Sequence, residues 1–162
     1  MKMRCALILC AQFYFFHPSF ADEIFNPKNC EFTVSFPGKY DIQEIFSSTG
    51  QSIHMAKTTP GQPTKLSAEC WPQQAISPQE YAKALSPKMA DRGIKVHSVS
   101  LGKGYYGEIV TLAGSAGEGP DKYYIRFESF FGTISRLDLL VLEKSPVASK
   151  EHLAFRNSVR LK

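Results

Sequence analysis

The first twenty-one residues read as a leader that is cut away, and this fixes where, and under what redox conditions, the rest must fold. Residues 1–4 supply Lys2 and Arg4, residues 5–16 are apolar except for Gln12, and His17-Pro18 breaks any helix. Ser19-Phe20-Ala21 then places small residues three before and one before a cut ahead of Asp22. A basic start, a short apolar centre and a small-residue site make a secretory signal peptide. The apolar run is shorter than the ~20 residues that span a bilayer. Lipidation at Cys10 fits poorly, because Leu9 precedes it where a small residue is usual. The expectation is an exported protein, periplasmic or secreted, with a single domain over residues 22–162.

Cleavage removes Cys5 and Cys10 and leaves Cys30 and Cys70. In an oxidising compartment such a pair most economically forms one disulfide. The loop it closes stabilises by about 4 kcal/mol in the chain-entropy model. No C-x-x-C is present, so a redox-active pair is not expected. The whole chain carries 19 basic and 15 acidic residues, a formal +4 that falls to +2 once Lys2 and Arg4 leave. There is no run of basic residues, and a nucleic-acid footprint is not indicated.

The segment Cys30-Glu31-Phe32-Thr33-Val34-Ser35-Phe36 alternates without a fault, so Cys30, Phe32, Val34 and Phe36 face inward from one strand. Further strands are expected over residues 42–46, 52–58 and 64–71, with Leu66, Ala68 and Cys70 on one face. Cys70 then points inward, as Cys30 does, and Trp71 points the other way, to cap a sheet edge or mark a groove. Ser77-Pro78-Gln79-Glu80 is a capping box with proline at the first helical position. Tyr81, Leu85 and Met89 give that helix its apolar stripe, Pro87 should kink or interrupt it near Leu85, and Gly93 closes it. Strands follow over residues 95–101, 105–113, 122–131 and 133–142, with a tight connection at Phe131-Gly132-Thr133. A last helix begins at Pro146 or Ser149 and buries Leu153 and Phe155. The arrangement is α+β with a mainly antiparallel sheet.

The order of these elements resembles the PsbP-like group of small α/β/α sandwich domains. That group includes bacterial exported proteins with a terminal F-x-x-S-V or F-x-x-S-F segment. The residues carrying the resemblance are Phe32-Thr33-Val34-Ser35-Phe36-Pro37, the mid-chain helix, the strands after it, and Phe155-Arg156-Asn157-Ser158-Val159. It implies an antiparallel sheet flanked by helices, and a scaffold for binding and assembly that has no shared catalytic residues.

Residue chemistry points the same way. His54, His97 and His152 lie on separate elements without zinc spacing, so structural or solvated roles are expected. Glu118, Asp121 and Glu128 do not form a calcium loop. Gly102-Lys103-Gly104-Tyr105-Tyr106-Gly107 joins two strands and reads as a hairpin turn, since a phosphate cradle needs a helix after its glycines. No nucleophile elbow is present. Aromatic residues crowd the later strands. On residues 122–131, Tyr123, Ile125 and Phe127 share one face, and Tyr124, Arg126, Glu128 and Phe130 share the other. If the second face is open, Tyr124, Arg126 and Phe130 form a contact patch, with Trp71 a further candidate. The expected function is a non-enzymatic binding or assembly domain of the cell envelope with a protein partner. The alternatives are a carrier with an aromatic pocket for a small apolar ligand, and a hydrolase with two carboxylates converging in a cleft. No cofactor and no metal are expected.

Overall fold

Two faces of one sheet account for most of the sequence pattern. The computed structural model describes residues 23–46, 52–72 and 76–162, so the segment expected to be a leader lies outside the described residues. The elements are β1 (Glu23–Phe25), β2 (Phe32–Phe36), β3 (Tyr40–Phe46), β4 (Ser52–Thr58), β5 (Lys65–Pro72), α1 (Pro78–Ala90) and β6 (Lys95–Gly104). After these come β7 (Gly107–Ala116), β8 (Tyr123–Phe131), β9 (Ser135–Glu143), α2 (Lys150–Asn157) and β10 (Arg160–Leu161). Seven strands form an antiparallel sheet in the order β3-β4-β5-β9-β8-β7-β6, and β1-β2-β10 form a smaller one. The fold is α+β with a mainly antiparallel sheet, as the pattern predicts.

Alternation sends every second residue of the central strands to one face. Leu66, Ala68, Cys70, Phe130, Leu137, Leu139 and Val141 pack there against Phe32, Val34 and Phe36 of β2 and against Phe155 of α2. The perfectly alternating β2 thus belongs to a separate layer laid across the large sheet. Cys30 and Cys70 form a disulfide with Cα atoms 6.0 Å apart, tying that layer to β5. On the opposite face, Leu85 and Met89 of α1 pack on Val110, Leu112 and Phe127.

Ser77 caps α1 as a full capping box, its Oγ accepting from the Glu80 N–H and its own N–H donating to the Glu80 carboxylate at 3.0 Å. Pro87 does not interrupt α1, which continues to Ala90. The proline removes only the N–H that would reach the Lys83 carbonyl, and both residues are exposed, so water can take that carbonyl. In α2 the buried residues are His152 and Phe155, whereas Leu153 is 46% exposed. Contrary to the sequence reading, Leu153 does not share the buried side because residues two apart in a helix lie about 200° from one another, and Phe155 shares its inward face with His152, three positions before it. Gly104 and Gly107 pair across Tyr105-Tyr106, so that glycine-rich segment is a hairpin turn.

Candidate functional site

The four residues singled out as a contact surface do not form one patch. Phe130 is buried at 6% exposure with its ring 6.3 Å from that of Phe32, so it is core and no part of an open patch. The small β1-β2-β10 layer covers it, and no motif in β8 announces that cover. Arg126 is half-buried: one Nη donates to the Pro146 carbonyl, and Nε lies 3.8 Å from Glu143. Tyr124 sits beside it under the Lys122 ammonium, 5.0 Å from the ring centre. Arg126 thus secures the segment leading into α2. Glu143 serves the same joint, accepting the Ser149 N–H at 2.8 Å and meeting His152 Nδ1 at 3.0 Å. Burial pushes the Glu143 carboxyl up, but its bonds to Ser149 and His152 outweigh that and hold it below its ordinary value. His152 is therefore structural, and the Nε2 of His97 meets Ser115 Oγ at 3.0 Å.

Trp71 lies in different surroundings. Strands β5 and β9 pair so that Glu69 faces Asp138 and Trp71 faces Arg136, all four on the side that carries α1. Arg136 grips Asp138 with two bonds, Nε at 2.9 Å and Nη2 at 2.8 Å, and Ser129 Oγ donates to Asp138 at 2.7 Å. The guanidinium is packed among rings, 4.5 Å from the centre of Tyr81 and 5.3 Å from that of Trp71. Burial pushes the Asp138 carboxyl up, while Arg136 and Ser129 pull it back. Burial also pushes the Tyr81 phenol up to about 12, so it stays protonated.

Above this floor and beneath α1 is a cleft of about 260 Å³ whose lining includes Glu69, Trp71, Lys88, Arg92 and Phe127. Two of its groups are unsatisfied. Glu69 has no ion-pair partner among the described residues, and burial and then the charge of Asp138 push its carboxyl up. The Trp71 indole N–H lies near enough to ease that charge, but Nε1 is buried and closes no hydrogen bond of normal geometry. Buried polar atoms are rarely left so. Two carboxylates do converge here, as a hydrolase would require. Both oxygens of Asp138 are already taken, however, which leaves Glu69 without an acid or base partner. The arrangement suits binding better than bond cleavage. A groove of about 400 Å³ beside the turn at residues 59–62 has no comparable cluster of convergent polar groups.

The sheet margins differ. Among the described residues, edge strand β3 pairs only with β4, in unbroken register from Tyr40 to Phe46, and six of its seven residues are exposed. Ile42 is 62% and Phe46 71% exposed. The opposite edge, β6, carries Lys95 and Lys103 and a register shift between Val96 and Ser98. Bulges and charged side chains, lysines above all, are the usual means of blunting an edge; β3 has no bulge and no lysine, and its charges are Asp41 and Glu44. Sequence reading missed β3 as a surface because strand propensity does not reveal which strand ends a sheet.

Among the described residues, no group of three or more His, Cys, Asp or Glu is placed to hold a metal ion. No described helix is long and apolar enough to cross a membrane. The sequence matches no protein-family model, and no curated protein matches it.

Proposed function

We propose that this chain is an exported, non-enzymatic binding domain of the cell envelope that docks a protein partner along β3. The partner adds an extended segment to the sheet, with main-chain bonds supplying affinity and alternate side chains supplying specificity. The observation that carries the proposal is the contrast between the two edges: β6 is bulged and lysine-bearing, whereas β3 is regular and exposes Ile42 and Phe46. The charged residues of β3 are Asp41 and Glu44, on opposite faces of the strand, so the complementary segment carries basic residues at two positions three apart and apolar residues opposite Ile42 and Phe46. Export rests on the leader and agrees with the Cys30–Cys70 bridge. The PsbP-like resemblance, with its α/β/α sandwich, supports a scaffold role in the same sense.

A photo-crosslinking residue placed at Gln43 in the leader-bearing chain, expressed in its own host, tests this. The expected product is an adduct with one envelope protein, attached through a basic, extended segment and absent from an I42K/F46K background of unchanged melting temperature. An adduct that survives those lysines, an adduct with a second copy of this chain, or no adduct would overturn it.

The alternative of a small-ligand carrier is favoured by the cleft under α1. Its walls, however, are not those of an apolar pocket.

A further inference from the structure

We infer that the cleft between α1 and the β5–β9 pair binds a small zwitterion of the α-amino-acid type. This site is separate from the β3 edge and does not depend on it. The inference follows from what the walls lack. Glu69 is a half-buried carboxylate with no ion-pair partner among the described residues, and a ligand ammonium would supply one. Trp71 Nε1, near the Glu69 carboxylate, is a buried donor that closes no hydrogen bond of normal geometry among the described residues, and a ligand carboxylate oxygen would supply an acceptor. Lys88 and Arg92, on the exposed side of the same cleft, add positive charge for the carboxylate. Arg136 is committed to Asp138 and makes the floor a neutral, rigid pair.

Other ligand classes leave part of this unmet. A simple cation would leave the indole N–H with only its poorly aligned approach to Glu69, and would face Lys88 and Arg92. A simple anion would leave Glu69 unpaired and beside it. An apolar ligand would desolvate both groups without compensation, which is costly. The remaining wall is formed by Leu85, Met89 and Phe127, which fit an apolar side chain. At about 260 Å³ the cleft falls just below the ~300–1,000 Å³ range of pockets for drug-sized ligands and suits one small molecule.

Trp71 is the chain's single tryptophan, so its fluorescence reports on the cleft directly. The leaderless, oxidised protein is titrated at neutral pH with L-phenylalanine and L-leucine. Two single-charge probes, phenethylamine and 3-phenylpropionate, follow, and calorimetry runs alongside. The expected result is saturable binding of at least one amino acid, with both single-charge probes weaker by about tenfold or more, the size of a lost charged hydrogen bond. E69Q should weaken the amino acid by a similar factor and should not weaken 3-phenylpropionate. W71F, read by calorimetry, keeps a ring in place but removes the N–H, and should also weaken the amino acid at an unchanged melting temperature. Absence of binding by either amino acid at millimolar concentration would overturn the inference. So would 3-phenylpropionate binding as tightly as L-phenylalanine, or wild-type affinity in both variants.

Discussion

Glu31 offers the sharpest test of how the two layers are joined. It immediately follows the disulfide cysteine, and its carboxylate accepts three successive backbone N–H groups from the β8–β9 connection. These are Thr133 at 3.0 Å, Ile134 at 2.8 Å and Ser135 at 2.9 Å. Its own N–H donates to Ser135 Oγ at 2.9 Å. Consecutive amides curled around an anion form a nest, here filled by a side chain of the same protein. Burial pushes the Glu31 carboxyl up, but the amides and the Ser135 hydroxyl outweigh it, and the carboxyl lies below its ordinary 4.5. A depressed carboxylate gives stability that is fully present above the unfolded value and is lost as pH falls through the folded one. Hydrogen bonds to a charged group contribute about 1.5–3 kcal/mol each. The connection is exposed at Ile134, so water would re-solvate part of it after truncation. We therefore expect E31A to cost about 2 kcal/mol and E31Q, which keeps one acceptor oxygen, about 1 kcal/mol. For a domain of this length the alanine variant should melt roughly 6 °C lower. G132A should act similarly without changing charge, because a Cβ there would meet the Glu31 carboxylate oxygen. Urea unfolding of wild type and E31Q at pH 7 and again in acid is the assay. The gap between them should close as pH falls. Equal midpoints at pH 7, or a gap that persists in acid, would refute the account.

Two further outcomes follow from the same layer. Replacing Cys30 and Cys70 together by alanine removes a cross-link of sequence separation 40 and should cost about 4 kcal/mol, or roughly 12 °C, in a melting experiment on the purified oxidised and variant proteins. A loss below about 1 kcal/mol would mean that the unfolded chain is already constrained there. F155A empties a fully buried ring site whose neighbour Phe36 has its centroid 4.7 Å away, and should cost about 3–5 kcal/mol by urea titration. Near-wild-type stability would show that α2 does not seal that face.

The legible parts of this chain were those in which local chemistry and tertiary context agree. The capping box at Ser77 works within four residues, and β2 alternates whatever covers it. The Cys30–Cys70 pair needed only the compartment and a count. What stayed hidden depended on partners distant in sequence. Phe130 and Tyr124 share a face of β8, yet one is core and the other half-exposed, because β2, almost a hundred residues earlier, lies over only part of that face. Glu31 looked like an ordinary solvent-side residue of an alternating strand, and its partners are more than a hundred positions away. Glu69 and Asp138 become neighbours only through the register of β5 and β9. One period-2 signal could have narrowed the search. Ser67, Glu69 and Trp71 sit opposite the inward Leu66, Ala68 and Cys70, and Arg136 and Asp138 alternate with Leu137 and Leu139. In a chain whose sheet is covered on both faces, polar residues on the second face must either reach solvent or find one another. Arg136 and Asp138 found one another. Glu69 and Trp71 lie near one another without closing a hydrogen bond of normal geometry, so the cleft they line is where a ligand has most to contribute.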